Sequence, residues 1–181
     1  MSDRQARAIL ITASGGGLPG VRAKDYKDVL EDLTRLDIKG LPDGALELLA
    51  AAAGKKDLPE RPGISVKLSA LHPRYEAVKG ARARDELAPR LLELAQAAKR
   101  HDLNLTVDAE EADRLEISLD VFAAVAADPS LAGWDGLGLA IQAYQKRALE
   151  TVNWVIDLAT RLDRRFMVRL VKGAYWDTEI K

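Results

Sequence analysis

One charged residue interrupts an apolar stretch near the end of the sequence. The run 166–171 has the composition of a buried strand, yet it contains Arg169. A charge in apolar surroundings is costly unless it is paired or binds a ligand, and ligands of parallel α/β folds lie at the carboxyl ends of strands. Arg169, with Lys172, Tyr175 and Trp176 after it, is therefore our first candidate for a site. The alternative is an arginine held in a salt bridge at the edge of a sheet.

Three further predicted strands also carry a polar residue at or near their carboxyl ends. With Arg169, these residues are Lys67, Asp108 and Gln142. Because the carboxyl ends of parallel strands meet on one side of a sheet or barrel, all four could reach one ligand. The alternative is a buried polar network that binds nothing.

Strands and helices alternate through the part of the chain that must position these residues. This alternation predicts βαβ units on a parallel sheet. In the helix at 85–100, Pro89 is expected in the first turn, where proline is tolerated. The last helix has apolar residues at Val152, Val155, Ile156 and Ala159, which is the spacing of a helix. The predicted strands are 64–68, 103–107, 138–142 and 166–171, and the helices are 85–100, one or two within 110–127, and 148–162.

The first 56 residues have a different pattern, and we treat them as a separate, mostly helical segment before a second unit at 57–181. A short strand is predicted at 8–12, helices at 25–36 and 43–53, and a linker or long loop at 54–63. The loop 13–20 formally fits G-x-G-x-x-G, but Pro19 interrupts the helix start that a dinucleotide site needs. We interpret it as a flexible glycine turn.

Composition excludes several classes of function. The 181 residues carry 27 basic and 28 acidic side chains, which gives no electrostatic case for nucleic acid. Cysteine is absent, and the two histidines lack metal-ligand spacing, so we expect no metal site. The acids Glu110, Glu111 and Asp113 suit a helix start, and the alternative is a catalytic pair of carboxylates. With no apolar run long enough for a membrane span, we expect a cytoplasmic protein.

Five motifs resemble the proline dehydrogenase domain of the bifunctional proline utilization A flavoenzymes. They occur in the order and with the spacing of that family, over about residues 59–181. The motifs are GISVKLSALHPRYE at 63–76, VDAEEADRLE at 107–116, LAGWDG at 131–136, IQAYQKR at 141–147 and VRLVKGAYWD at 168–177.

The resemblance implies a TIM barrel that binds FAD at the carboxyl ends of its strands and oxidises L-proline to pyrroline-5-carboxylate. It implies catalytic roles for Lys67, Asp108, Arg169 and Tyr175. Lys67 would lie near the substrate carboxylate, with Asp108 as the acid that holds it in place. Arg169 would lie against the flavin, and Leu170 and Tyr175 would wall the proline pocket.

Further residues are implied to bind the cofactor. Gln142 would hydrogen-bond the flavin ring, and a group around Gly173 would shape the flavin cradle, because glycine permits close backbone approach. The electron acceptor would be a quinone or another acceptor, which implies peripheral association with the inner membrane. The cradle residues are Val171, Lys172, Gly173, Ala174 and Trp176.

The region of resemblance contains four predicted strands, whereas a full barrel has eight. We therefore predict a partial TIM (β/α) barrel of about four parallel strands and expect the chain to be a fragment, which puts its own activity in question. The alternative is a non-catalytic half-barrel that self-associates as a homo-oligomer, because uncovered sheet edges favour pairing, or that binds a small anion.

Overall fold

The computed structural model describes residues 9–10, 46, 49–51, 53–72, 75 and 80–175. Its centre is a five-stranded sheet whose strands lie side by side in chain order. Strand β1 pairs antiparallel with β2, and each later strand pairs parallel with the one before it. The strands are β1 (Ile9–Leu10), β2 (Gly63–Val66), β3 (Asn104–Val107), β4 (Leu137–Gln142) and β5 (Met167–Val171).

Helices connect the four parallel strands, as the alternating pattern predicts. A short helix and a long one follow β2, and single helices follow β3 and β4. The prediction of four parallel strands that alternate with helices, as in part of a (β/α) barrel, is confirmed. The helices are α1 (Leu68–Leu71), α2 (Gly80–Arg100), α3 (Leu115–Ala126) and α4 (Ala148–Leu162), with 3₁₀ turns at Leu58–Glu60, Ala112–Arg114 and Pro129–Leu131.

Strand β4 lies at the centre of the parallel part of the sheet. All six of its residues are buried, which is typical of a strand covered on both faces. Outside the sheet, α2 packs against α3. Helix α4 ends at Leu162 and is followed by Asp163, whose backbone is left-handed with φ of 49°, a conformation that aspartate tolerates better than most residues.

Two predicted boundaries are wrong. The strand predicted to run to residue 68 ends at Val66, because the chain turns at Lys67 and Ala70 N–H donates to the Lys67 carbonyl at 3.0 Å. The helix predicted from 85 begins at Gly80, so Pro89 lies well inside it. Pro89 is exposed, so water can bond the carbonyl that lacks a helical donor.

The N-terminal segment contributes to the same core as the parallel strands. Leu46, Leu49 and Ala53 are helical and buried, and both leucines belong to the cluster that contains the strand residues. The predicted glycine loop at 13–20 and helix at 25–36 lie outside the described residues. The division at residue 56 stays a prediction.

Hydrogen bonds and an ion pair fix the loop predicted at 54–63 against the start of the parallel sheet. Arg61 donates to the carbonyls of Gly54, Lys56 and Asp102 at 2.7–3.2 Å and forms an ion pair with the Asp102 carboxylate at 2.8 Å. Asn104 donates to the carbonyls of Leu58 and Arg61. These bonds fix the start of β2.

Candidate active site

Lys67 lies directly after β2, at the carboxyl end of the sheet. Its Nζ donates a hydrogen bond to the Tyr175 hydroxyl at 2.9 Å and lies 5.4 Å from the centre of the tyrosine ring. The hydrogen bond from Tyr175 raises the pKa of Lys67 above its usual value of 10.5, partial burial opposes it, and Glu110 and Asp108 add to the increase. Lys67 is therefore a stable cation near neutral pH.

The side chain of Arg169 reaches from β5 across the sheet to β2 and to the end of β3. It donates to Ser65 Oγ on β2 at 2.7 Å and forms a hydrogen-bonded ion pair with Asp108, which follows β3. In a flat sheet, three strand spacings would separate β5 from β2 by roughly 14 Å. This distance is longer than the reach of an arginine side chain. The sheet must therefore curve, as part of a barrel does.

The pairing of Asp108 differs from the one implied by the resemblance. Asp108 was expected to hold Lys67, but the structure pairs its carboxylate with Arg169 and pairs Lys67 with Tyr175. The physical reason is the curvature, which brings the guanidinium from β5 over the end of β3. Asp108 still favours the charged form of Lys67 through space, as a minor contribution.

Gln142, the last residue of β4, is buried and links two loops. Its Nε2 donates to the backbone carbonyl of Glu110 at 2.8 Å, and its Oε1 accepts from the backbone N–H of Ala174 at 2.9 Å. A carboxamide has two N–H groups and two acceptor lone pairs, so the bonds within the described part of the chain leave one of each.

Glu110 is a residue of the site that the sequence analysis did not select. It is buried, accepts from the backbone N–H of Ser69 at 3.0 Å, and pairs with Arg114 at 3.2 Å. It also lines a cleft with Asp108 and Gln142. We assigned Glu110 to a helix start, yet its position two residues after Asp108 at a strand end was a signal for the site.

Tyr144 is a second residue that the analysis did not select. Gly173 has a φ of 136°, and a Cβ on this glycine would overlap the ring of Tyr144. The missing side chain at Gly173 thus makes room for Tyr144, whereas the resemblance assigned that space to a cofactor. No feature of the sequence alone pairs these two residues.

The remaining predicted residues have different placements. Arg169 faces Ser65, so Leu170 points to the opposite face of β5, because side chains of a strand alternate, and it is 64% exposed. The structure therefore does not bring Leu170 to Lys67. The backbone carbonyls of Val171 and Lys172 accept hydrogen bonds from backbone N–H groups of the loop after β4. Trp176 lies outside the described residues.

None of the helices in the described ranges is long and apolar enough to cross a bilayer.

Comparisons with known proteins identify the family. The sequence model of the family described as proline dehydrogenase matches residues 24–181, which begins upstream of the motifs quoted above. Bifunctional protein PutA of Klebsiella aerogenes is 53% identical over 137 residues, and that of Rhizobium meliloti is 57% identical over 122 residues. These alignments cover 76% and 67% of this chain, and 10% of each relative's length.

Solved structures agree with this assignment. A variant of proline utilization A from Bradyrhizobium japonicum is 69% identical, with a TM-score of 0.73 over 76% of this chain and 14% of that one. Proline utilization A from Bdellovibrio bacteriovorus inactivated by N-propargylglycine is 26% identical, with a TM-score of 0.68 over 76% of this chain and 16% of that one. The chain belongs to the proline dehydrogenase family.

Proposed function

We propose that this chain forms part of the site at which a proline dehydrogenase oxidises L-proline to pyrroline-5-carboxylate with FAD. The observation that carries the proposal is the convergence of Lys67 and Arg169 at the carboxyl edge of the parallel sheet. Arg169 is paired with a carboxylate, whereas the hydrogen-bond partner of Lys67 is a phenol. The charge of Lys67 is therefore available to a substrate carboxylate.

The donors of this site suit a flavin. Gln142 retains one N–H and one acceptor lone pair, which matches a ring that carries both carbonyl and N–H groups. Lys67 and Arg169 would supply positive charge to a bound flavin, which gains negative charge on reduction. Bound FAD would supply the acceptor for hydride, and the protein residues supply binding, orientation and electrostatics.

The chemistry requires the C–H bond beside the proline nitrogen to break. Its electron pair leaves as hydride, and the nitrogen lone pair forms the C=N bond, so the substrate nitrogen must first have released one of its two protons to solvent, and the product forms as the protonated imine. Lys67 does not take that proton, because its raised pKa keeps it protonated near neutral pH. Lys67 instead binds the carboxylate and holds the ring in one orientation.

Tyr175 has two roles in this proposal, since it orients Lys67 and presents its ring beside the same ammonium group. The backbone of 171–174 contributes to the cofactor side of the site. A contact of Leu170 with proline and a contact of Trp176 with FAD stay predictions from the resemblance. For the electrons, we propose a quinone or another acceptor, reached by a cytoplasmic protein at the inner membrane surface.

The experiment is anaerobic reduction of the FAD-loaded chain by proline, in which the loss of flavin absorbance measures the rate of reduction. We expect bleaching by the unmodified chain, and at least about a tenfold slower rate in Lys67→Met, which corresponds to roughly 1.4 kcal/mol. Lys55→Met is the matched control, because Lys55 is exposed in the turn before the first 3₁₀ helix. A chain that cannot be loaded with FAD would overturn the proposal for these 181 residues.

A second candidate is a non-catalytic half-barrel that self-associates. Large apolar side chains on α4 and β5 favour it, since Leu149, Ile156, Val168 and Leu170 are exposed and β5 is the outermost strand of the described sheet.

A further inference from the structure

The ring of Tyr144 packs directly on the backbone of Gly173. Tyr144 lies in the loop that follows β4, and Gly173 lies in the turn that follows β5. A side chain at Gly173 would overlap two carbon atoms of the ring, Cδ1 and Cε1. The φ of 136° at Gly173 also disfavours any residue with a Cβ. The two residues are therefore fitted to each other.

Hydrogen bonds join the same two segments on either side of this contact. Ala143 N–H donates to the Val171 carbonyl at 2.7 Å, and Tyr144 N–H donates to the Lys172 carbonyl at 3.0 Å. On the far side of Gly173, Ala174 N–H donates to Gln142 Oε1 at 2.9 Å. The ring of Tyr144 thus closes a clamp that holds the turn 172–174 against the end of β4.

The clamped turn leads directly into Tyr175, the hydrogen-bond partner of Lys67. We propose that Tyr144 is a positioning residue, which by packing on Gly173 fixes Tyr175 where it can accept the hydrogen bond of Lys67. Its relevance to catalysis rests on the proposed function, because only there does Lys67 bind a substrate. The positioning itself needs neither flavin nor proline and can be tested without them.

The test measures the pH profile of the reaction of Lys67 with trace acetic anhydride, read residue by residue by mass spectrometry. Only the neutral amine reacts, so the midpoint of the profile gives the pKa, and the plateau reports accessibility. Tyr144→Ala removes the ring, Tyr144→Phe keeps it, and Tyr175→Phe removes the partner of Lys67. Asp108 and Glu110, which also raise the pKa of Lys67, are unchanged in all three variants.

We expect the midpoint of the Lys67 pH profile to fall in Tyr144→Ala toward the midpoint in Tyr175→Phe. The profile of Tyr144→Phe should superimpose on that of the unmodified chain. A fall of half a unit would raise the rate below the midpoint about threefold. An unshifted midpoint in Tyr144→Ala, with a shifted one in Tyr175→Phe, would overturn the proposal. An unshifted midpoint in Tyr175→Phe would also overturn it, because Tyr175 would then not govern Lys67.

Tyr144→Leu provides a second variant if Tyr144→Ala does not fold, as judged by circular dichroism. Leucine fills part of the space but lacks the flat ring that lies on Gly173, so the same fall of the midpoint is expected. Gly173→Ala adds an independent check, since its Cβ would displace the ring and produce a similar shift. A midpoint unchanged in both variants would count against the clamp.

Discussion

Lys67 keeps its charge at the edge of a buried sheet because its surroundings favour the ammonium form. Partial burial lowers the pKa of a lysine, but the hydrogen bond to Tyr175 outweighs this effect. Glu110 and Asp108 act in the same direction from nearby positions. The result is a cation whose direct hydrogen-bond partner carries no carboxylate, which suits its proposed role of binding a substrate carboxylate.

The raised pKa of Lys67 predicts how stability depends on pH. A group whose pKa is higher in the folded state stabilises that state fully below its unfolded-state pKa and loses this effect as pH rises through the folded-state pKa. We expect Tyr175→Phe to lower the free energy of unfolding by about 1 kcal/mol between pH 7 and 9. This difference should shrink above pH 10.5, the usual value for lysine.

Urea unfolding of the unmodified chain and of Tyr175→Phe at pH 7, 9 and 11 measures this difference. Lys67→Met in the same series is the control, because the tyrosine substitution should have little further effect once the ammonium group is gone. A difference between the first two proteins that is as large at pH 11 as at pH 7 would contradict the prediction.

Sequence reasoning selected the side chains of the site more successfully than their pairing. Lys67, Asp108 and Gln142 lie at three neighbouring strand ends, and Arg169 reaches the same place, as the strand-end pattern predicts. The pattern could not show that Arg169 bonds Asp108, because that contact depends on the curvature of the sheet. Tyr144 was missed for a related reason, since its partner Gly173 lies 29 residues away in the sequence.

At the scale of elements, Arg169 connects strands that are not neighbours in the sheet. Its bonds to Ser65 and Asp108 join β5 to the ends of β2 and β3. The Asp108 side chain is 11% exposed and that of Arg169 is 36% exposed. Loss of the arginine would leave a largely buried carboxylate without its partner, which is more costly than loss of an exposed ion pair.

We therefore expect Arg169→Met to lower the free energy of unfolding by about 2–3 kcal/mol and Ser65→Ala by about 1 kcal/mol. Arg165→Met is the matched control, because Arg165 is 88% exposed in a 4.0 Å ion pair with Asp135, and its loss should cost less than about 0.5 kcal/mol. Urea titrations at pH 7 would measure all three. Equal losses for the two arginine variants would show that the contacts of Arg169 contribute nothing to the fold.

Element types were predicted more reliably than their boundaries. Helix α4 occupies the predicted range because its apolar spacing is regular and Asp163 ends it with a left-handed backbone. Strand β2 stops before Lys67 through a turn whose hydrogen bond runs between backbone groups, so side-chain patterns could not indicate it. Helix α2 begins at Gly80, before the predicted start, so Pro89 lies well inside it, where its missing N–H leaves one helical carbonyl without a donor.

At the scale of the whole molecule, the described chain has an outer surface that is not uniformly polar. Val168 and Leu170 lie on the same face of β5, and Leu149 and Ile156 lie seven residues apart on α4, all more than 45% exposed. Ile156 is exposed although its spacing is that of the apolar residues of α4, because this helix buries Thr151, Val155 and Leu158 instead. Exposed apolar groups of this size at a sheet edge favour contact with further protein.

These surfaces make the second candidate function testable. If copies of the chain associate through α4 and β5, Ile156→Lys and Leu170→Lys should each shift sedimentation velocity profiles toward the monomer, because a buried ammonium group opposes the contact. The matched control is Ala124→Lys, which adds the same charge at an exposed position of α3. A shift equal to that of the control would attribute the effect to net charge alone. An unmodified chain that stays monomeric at every concentration would remove the self-association candidate. If the two lysine variants become monomeric and still bind FAD, the surface for self-association is separate from the cofactor site.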